Sequence, residues 1–106
     1  MSLSTHVLNA VTGTPAVAVD VTLTDAHGAV LASGRTDDDG RIDSLGGELG
    51  EGCYRISFDT GSYFAADGIT TFYPEVTVAF EIRDAAAHHH VPLLLSPYSY
   101  STYRGS

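Results

Sequence analysis

Short runs rich in Thr, Val, Tyr, Phe and Ile, each closed by a cluster of Gly, Pro or Asp, extend along the whole chain. This pattern is typical of many short strands rather than of helices. The interrupting segments contain residues suited to tight turns or to positive φ: TGTPA, DAHGA, DDDGR, GGELGEG and SP. The alternation of short strand-like runs with turn segments therefore favours an all-β fold.

The spacing predicts seven strands, at residues 4–11, 18–25, 29–35, 53–59, 75–83, 89–96 and 99–104. One short helix is predicted in TGSYFAADG, with Thr60 or Ser62 as its N-cap and Gly68 as its end. Even spacing without a long structureless stretch indicates a β-sandwich. Because there is no linker or internal repeat, residues 1–106 are expected to form one domain.

The charge balance excludes several classes of function. A formal net charge of −8 argues against a nucleic-acid partner, since phosphate binding relies on clustered basic residues. All five basic residues other than histidine are arginines, so Schiff-base chemistry on lysine is excluded and an anion would be bound by Arg, His or backbone amides. No apolar run approaches the roughly 20 residues of a membrane helix, so no membrane partner is expected.

The expected location is the cytoplasm. Cys53 is the single cysteine, so it cannot form an intramolecular disulfide, which fits a reducing compartment. The first residues lack the basic region followed by an apolar stretch that marks a signal peptide.

Strand alternation isolates one unusual face. In the first strand His6 points away from Val7, and in the strand from residue 89 His90 shares a side with Leu94. The residues expected to face the core are Val7, Val91, Leu93, Leu95, Tyr98 and Tyr100. The opposite face then combines two histidines with small polar and apolar residues, as an interface or a pocket floor does.

Three other patterns resemble metal or nucleophile sites, and none is expected to be one: a run of histidines, a run of aspartates and the serines near histidines. In the run 88–90, His88 and His90 share a face and could chelate together, but His89 points away and no Cys, Asp or Glu completes a metal site, so none is expected. The acidic run 37–39 lacks the alternating ligands of a calcium loop and is predicted to be a turn whose carboxylates pair with Arg41. A serine nucleophile is disfavoured because no Gly-x-Ser-x-Gly elbow is present; the serines near histidines are Ser4, Ser96, Ser99 and Ser101.

Three segments resemble the transthyretin-related family, and within it the members that hydrolyse 5-hydroxyisourate: LSTHVLNAVTGTPA, TDDDGRI and HVPLLLSPYSYSTYRGS. CYRISFDTGSYFAADG and FYPEVTVAFEI follow in the expected order, so the resemblance spans nearly the whole chain. The terminal Tyr-Arg-Gly-Ser is the mark that separates these hydrolases from the hormone-carrying transthyretins.

The resemblance implies a transthyretin-like β-sandwich of two four-stranded sheets with one short helix, and a homotetramer with its sites where two dimers meet. It also implies hydrolysis of 5-hydroxyisourate in urate degradation, without metal or cofactor. The residues carried over as catalytic are His6, Arg41, His90 and Ser106, and those carried over as substrate-binding are Tyr103, Arg104 and Gly105. Two positions depart from the family pattern: Asn9 replaces a common Asp, and His89 replaces a common Tyr.

These residue types suit the implied chemistry. We expect His6 and His90 to position and deprotonate water, while Arg41 and Arg104 bind substrate oxygens. Alternation puts Tyr103 and Arg104 on opposite faces, so the last strand is expected to bend or stop near Tyr103.

Two other classes of function stay open at this point. A non-catalytic transthyretin-like protein would bind a small aromatic ligand in the same channel. A secreted or adhesive β-sandwich module is a third possibility, which the absence of a signal peptide, linkers and disulfides disfavours.

Overall fold

A computed structural model describes residues 3–106, which form nine strands and one helix. In chain order the elements are β1 (Leu3–Asn9), β2 (Thr14–Pro15), β3 (Asp20–Asp25), β4 (Val30–Arg35), β5 (Arg41–Leu45), β6 (Gly52–Phe58), α1 (Thr60–Ala65), β7 (Val76–Ile82), β8 (His89–Ser96) and β9 (Ser99–Thr102).

The strands form two sheets. One is four-stranded and antiparallel, in the order β4-β3-β6-β7. The other has the order β2-β1-β8-β9, and β5 also pairs with β1. In this second sheet β1 and β8 run parallel, while the other pairs are antiparallel. The predicted all-β sandwich is confirmed; its second sheet has five strands rather than four, because the two-residue β2 continues the edge of β1 beyond β5.

Sequence patterning missed the two strands that share this edge of β1. β5 does not alternate between buried and exposed residues, and β2 is too short to alternate. The first strand also ends earlier than predicted, at Asn9, because the Asn9 side-chain oxygen accepts hydrogen bonds from the backbone N–H groups of Val11 and Thr12 and starts a turn.

Alternate residues of both sheets fill the core between them. Phe58 of β6 and Phe64 of α1 are its two largest fully buried side chains. Val7, Val91, Leu93 and Leu95 lie in the core as expected. Two predicted core residues do not: Tyr98 is 67% exposed in the turn before β9, and Tyr100 is 40% exposed. Tyr100 lies on an edge strand and packs edge-to-face on Tyr73 instead.

The N-cap of the short helix lies one residue before Thr60, the first of the two predicted caps, and three before Ser62. Asp59 is the N-cap, because its carboxylate accepts a hydrogen bond from the backbone N–H of Ser62 at 3.2 Å. Thr60 is already helical, and its hydroxyl donates to the carbonyl of Tyr73. The helix ends at Ala65, three residues before the predicted end; Gly68 closes the turn that follows, with a φ of +68° that favours glycine and an N–H that donates to the carbonyl of Ala65 at 3.0 Å.

Candidate active site

The outer face of the five-stranded sheet brings together side chains from three strands. His6 of β1 pairs with Arg41 of β5, and Ser4 of β1 pairs with His90 of β8. Ser4 and His6 are two residues apart on β1 and therefore point to the same side. His6 and His90 are half-buried, whereas Arg41 is exposed. The fold thus places His6, Arg41 and His90 on one sheet face, as sequence periodicity indicated for the two histidines.

The turn before β5 positions Arg41. The Asp37 carboxylate accepts hydrogen bonds from the backbone N–H groups of Asp39 and Arg41, and these bonds lower the pKa of Asp37. The Gly40 carbonyl accepts from the N–H of Val7 at 2.7 Å, which joins the turn to β1. The expected pairing of Arg41 with this acidic turn therefore uses the backbone N–H of Arg41; within residues 3–106 the side-chain ion pairs are Arg35–Asp20 and Arg83–Glu81.

Replacing Gly40 with alanine is expected to destabilise the fold by more than the same change at Gly28. Both glycines have positive φ, which costs an L-residue about 1–2 kcal/mol. At Gly40 the added methyl group would also overlap the backbone carbonyl of Val7, whereas Gly28 has open space. Urea unfolding of the two variants would measure the difference in the free energy of unfolding. An equal loss of unfolding free energy in the two variants would show that the close approach of the turn to β1 does not affect stability.

The surroundings of His90 favour its neutral form. Burial lowers the pKa of His90 below its ordinary value of 6.5, and the positive charges of Arg41, His6 and His88 lower it further. A ring in this state is unprotonated at neutral pH and can accept a proton. The strand register agrees with this, because His6 lies two residues from Ser4 on the same face of β1 and Ser4 pairs with His90.

Ser4 lies between two histidines. Its Oγ is 2.7 Å from Nδ1 of His90 and 2.8 Å from Nε2 of His88, and the residue is only 9% exposed. The sequence pointed to Ser4 only as a disfavoured nucleophile, whereas the parallel pairing of β1 with β8 places it beside His90. Within residues 3–106 no three His, Cys, Asp or Glu side chains are grouped so that they could hold a metal ion.

The C-terminal segment returns to His90. β9 ends at Thr102, but the backbone N–H of Gly105 donates to the carbonyl of His90 at 2.9 Å. Thr102 pairs with Leu93, and Gly105 lies three residues after Thr102 while His90 lies three residues before Leu93. The bridge therefore continues the antiparallel register of β8 and β9. The strand thus stops next to Tyr103, as expected, and the terminus stays alongside β8.

Gly105 touches the ring of His90. A methyl group on Gly105 would overlap Cδ2 of His90 and lie only 3.1 Å from its Cγ. The absence of a side chain at this position therefore allows the terminus to lie against the ring.

The other terminal residues lie around this contact. Tyr103 is 60% exposed, and Ser106 follows Gly105 at the surface. Tyr103 and Arg104 both border a cavity of about 320 Å³ between β7 and β8, together with His90. Arg104 also borders a second cavity with Glu81. His90 therefore connects two groups of residues, the terminal segment on one side and His6 with Arg41 on the other.

The two departures from the family pattern lie on the inner face of the sheet, although His89 also borders the cavity next to Tyr103 and Arg104. Asn9 is buried on the opposite face of β1, where its amide N–H donates to the hydroxyl of Tyr63. His89 is also buried, and its Nδ1 lies 3.1 Å from the carbonyl oxygen of Ala87. On the inner side of the sheet, Asn9 thus bonds β1 to α1, and His89 contacts the segment just before β8.

Comparison with known proteins identifies close relatives. The model of the HIUase/Transthyretin family matches residues 3–105. The chain is 49% identical over 109 residues to a 5-hydroxyisourate hydrolase of Salmonella typhimurium, in an alignment that covers 98% of this chain and 80% of the relative. The structure of Klebsiella pneumoniae 5-hydroxyisourate hydrolase superposes with a TM-score of 0.93 at 39% identity, covering 100% of both chains. Sea bream transthyretin in complex with thyroxine superposes with a TM-score of 0.92 at 36% identity, covering 99% of this chain and 95% of that one.

Proposed function

The chain belongs to the HIUase/Transthyretin family, and from this membership we propose that it hydrolyses 5-hydroxyisourate in urate degradation. The observation that carries the proposal is that His6, Arg41 and the terminal Gly105 converge on His90. Two imidazole rings beside a guanidinium are suited to activating water against a polar ring carbonyl.

The reaction opens a cyclic amide. Water forms a bond from its oxygen to the ring carbonyl carbon and gives one proton to a histidine. The carbon–nitrogen bond then breaks, and the histidine returns the proton to the leaving nitrogen. The product is 2-oxo-4-hydroxy-4-carboxy-5-ureidoimidazoline, and neither metal nor cofactor is needed to balance these steps.

We assign the base role to the two histidines on the outer face. His90 is supported as a base by its lowered pKa, and His6 lies close enough for its charge to act on His90. Arg41 is exposed beside them, where its planar guanidinium can bind the developing oxyanion.

The terminal segment is proposed to hold the substrate. Tyr103, Arg104 and Gly105 are assigned to substrate binding, and Ser106 is assigned a catalytic role. The support is the bridge between Gly105 and His90, which keeps the last residues beside the base. Arg104 is the cation of this segment and is assigned to substrate oxygens, because it borders the same cavity as His90.

A homotetramer with its sites at the dimer–dimer interface is part of the proposal. Leu8 and Leu94 are paired on the outer face of the sheet and are only half-buried in the single chain. An apolar patch around an open site is suited to being covered by a second copy of the chain. Light scattering would give the mass of the assembly.

The activity test generates 5-hydroxyisourate in situ from urate with urate oxidase. We expect this protein to accelerate the decay of the 5-hydroxyisourate ultraviolet absorbance. Decay at the spontaneous rate, with a folded protein at the concentration used, would contradict the proposed function.

Ligand carriage without catalysis is less well supported. Sea bream transthyretin has nearly the same fold, so the fold alone does not separate the two functions. The charged Arg104 and the exposed Tyr103 at the site favour a polar substrate over an apolar hormone. Binding of an iodinated phenol without any effect on 5-hydroxyisourate decay would favour the carrier.

We also infer a cytoplasmic location. The support is Cys53, which is exposed and has no second cysteine to pair with. Over residues 3–106, no helix has the length and apolar character needed to cross a membrane.

A further inference from the structure

The hydroxyl of Ser4 connects two imidazole rings that the sequence places at its far end. Ser4 Oγ lies 2.7 Å from Nδ1 of His90 and 2.8 Å from Nε2 of His88. Both distances are those of good hydrogen bonds. Because Ser4 is buried and lies on β1, an inner strand of its sheet, its contact with His90 is fixed by the pairing of β1 with β8. His88 lies in the segment just before β8.

One hydroxyl proton cannot serve both rings. A serine hydroxyl has a single proton to donate, and a neutral imidazole has one N–H and one bare nitrogen. If Ser4 donates to one ring, the other ring must donate its N–H to the Ser4 oxygen. When Nδ1 of His90 carries a proton, Nε2 of His88 is therefore bare, and when Nε2 of His88 carries a proton, Nδ1 of His90 is bare.

We propose that Ser4 is a positioning residue for His90, and that together with His88 it forms a proton relay from the active site to solvent. In the resting state, Nδ1–H of His90 donates to Ser4, and Ser4 donates to Nε2 of His88. This leaves Nε2 of His90 without a proton and able to accept one from water. The inference rests on the proposed hydrolysis.

The relay balances its protons. Nε2 of His90 takes one proton from the attacking water. Nδ1 of His90 then passes its own proton to Ser4 while Ser4 passes its proton to Nε2 of His88. His88 is exposed and releases its Nδ1 proton to bulk water. When the carbon–nitrogen bond breaks, Nε2 of His90 gives its proton to the leaving nitrogen, and protons shift back from Nε2 of His88 to Ser4 and from Ser4 to Nδ1 of His90. Nδ1 of His88 takes one proton from bulk water, which restores the resting state.

The charges around His90 favour proton transfer away from its ring and toward His88. The charges of Arg41 from β5, His6 from β1 and His88 from the segment before β8 all lower the pKa of His90. Each opposes a lasting positive charge on His90, so a route that removes the proton returns the ring to its neutral form. Asp37 lies on the turn before β5, and the charges of Arg41 and His6 help to lower the pKa of its carboxyl.

Ser4→Ala is expected to lower kcat by roughly 10–10²-fold, below or at the low end of the loss expected for a general base itself, with little change in KM. Ser4 does not contact the substrate in this scheme, so the effect falls on the chemical step. Ser4→Thr keeps the hydroxyl and should retain most of the activity. Ser57→Ala is the matched control, because Ser57 makes a similar side-chain bond, to Thr77, on the other sheet.

A second readout does not depend on turnover. In protein labelled with ¹⁵N-histidine, NMR should find His90 protonated at Nδ1 and His88 unprotonated at Nε2, and Ser4→Ala should make Nε2–H of His90 a populated form. Because Nε2 of neutral His88 is bare, both rings should carry their proton on Nδ1. Different tautomers on the two rings of the unaltered protein, or a proton on Nε2 of neutral His90, would overturn the relay, as would an unchanged kcat in Ser4→Ala. If the unaltered protein does not accelerate 5-hydroxyisourate decay, the proposed function fails, and the tautomers of the resting protein still decide whether Ser4 couples the rings.

Discussion

His90→Asn is expected to reduce kcat for 5-hydroxyisourate hydrolysis by about 10²–10⁴-fold, which is the range for losing a general acid–base group. Asparagine keeps a polar side chain of similar length but cannot take a proton from water near neutral pH. The rate is measured from the decay of the ultraviolet absorbance of 5-hydroxyisourate generated in situ. A variant with unaltered kinetics would remove His90 from the mechanism.

The pH profile separates loss of a base from loss of structure. His90 has a lowered pKa, so in the unaltered protein it becomes protonated only as the pH falls below about 6.5, and activity should decline there. This acidic limb should be absent from the residual activity of His90→Asn. His27→Asn is the control, because His27 lies exposed in the loop after β3 and its recorded hydrogen bond uses only the backbone N–H. That variant should keep both the rate of hydrolysis and its decline at acidic pH.

Gly105→Ala is expected to reduce activity by up to roughly 10²-fold, because a displacement of about 1 Å at a catalytic group can have that effect. The added methyl group has no room beside the His90 ring, so either the ring moves or the terminus leaves β8. Since Gly105 lies beyond β9 and outside the hydrophobic core, the free energy of unfolding should change little. The activity assay and a urea titration of the same sample measure the two effects.

Gly50→Ala is the matched control for this experiment. A methyl group there meets open space, and Gly50 does not have a positive φ that alanine would avoid. Equal activity of Gly105→Ala and Gly50→Ala would mean that the terminus does not act through its contact with His90. A tag fused after Ser106 should also impair activity if the ordered terminus closes the site.

The strand pattern could be predicted from the sequence because it is local. Turn residues mark where strands end, and alternation assigns the side of each residue within a strand. This was enough to predict the sandwich and to place His6 and His90 on outward faces. It failed for Tyr98 and Tyr100, because alternation does not tell whether another sheet covers a residue at the end or edge of a strand.

The candidate site itself depends on pairing between distant segments. His6 meets Arg41 only because β5, a strand without alternation, pairs with β1. The residues of functional interest were identified from the motifs of a known family, but their spatial grouping required the fold.

The sequence by itself determined the class of fold, the faces of the individual strands and the residue types available for catalysis, since each of these follows from neighbouring positions along the chain. Only the tertiary structure decided that Ser4 contacts a ring 86 residues away and that Gly105 bonds to the backbone of His90. The physical reason is that register between strands is set by packing of the whole core, and no local pattern in β1 or at the C-terminus records it.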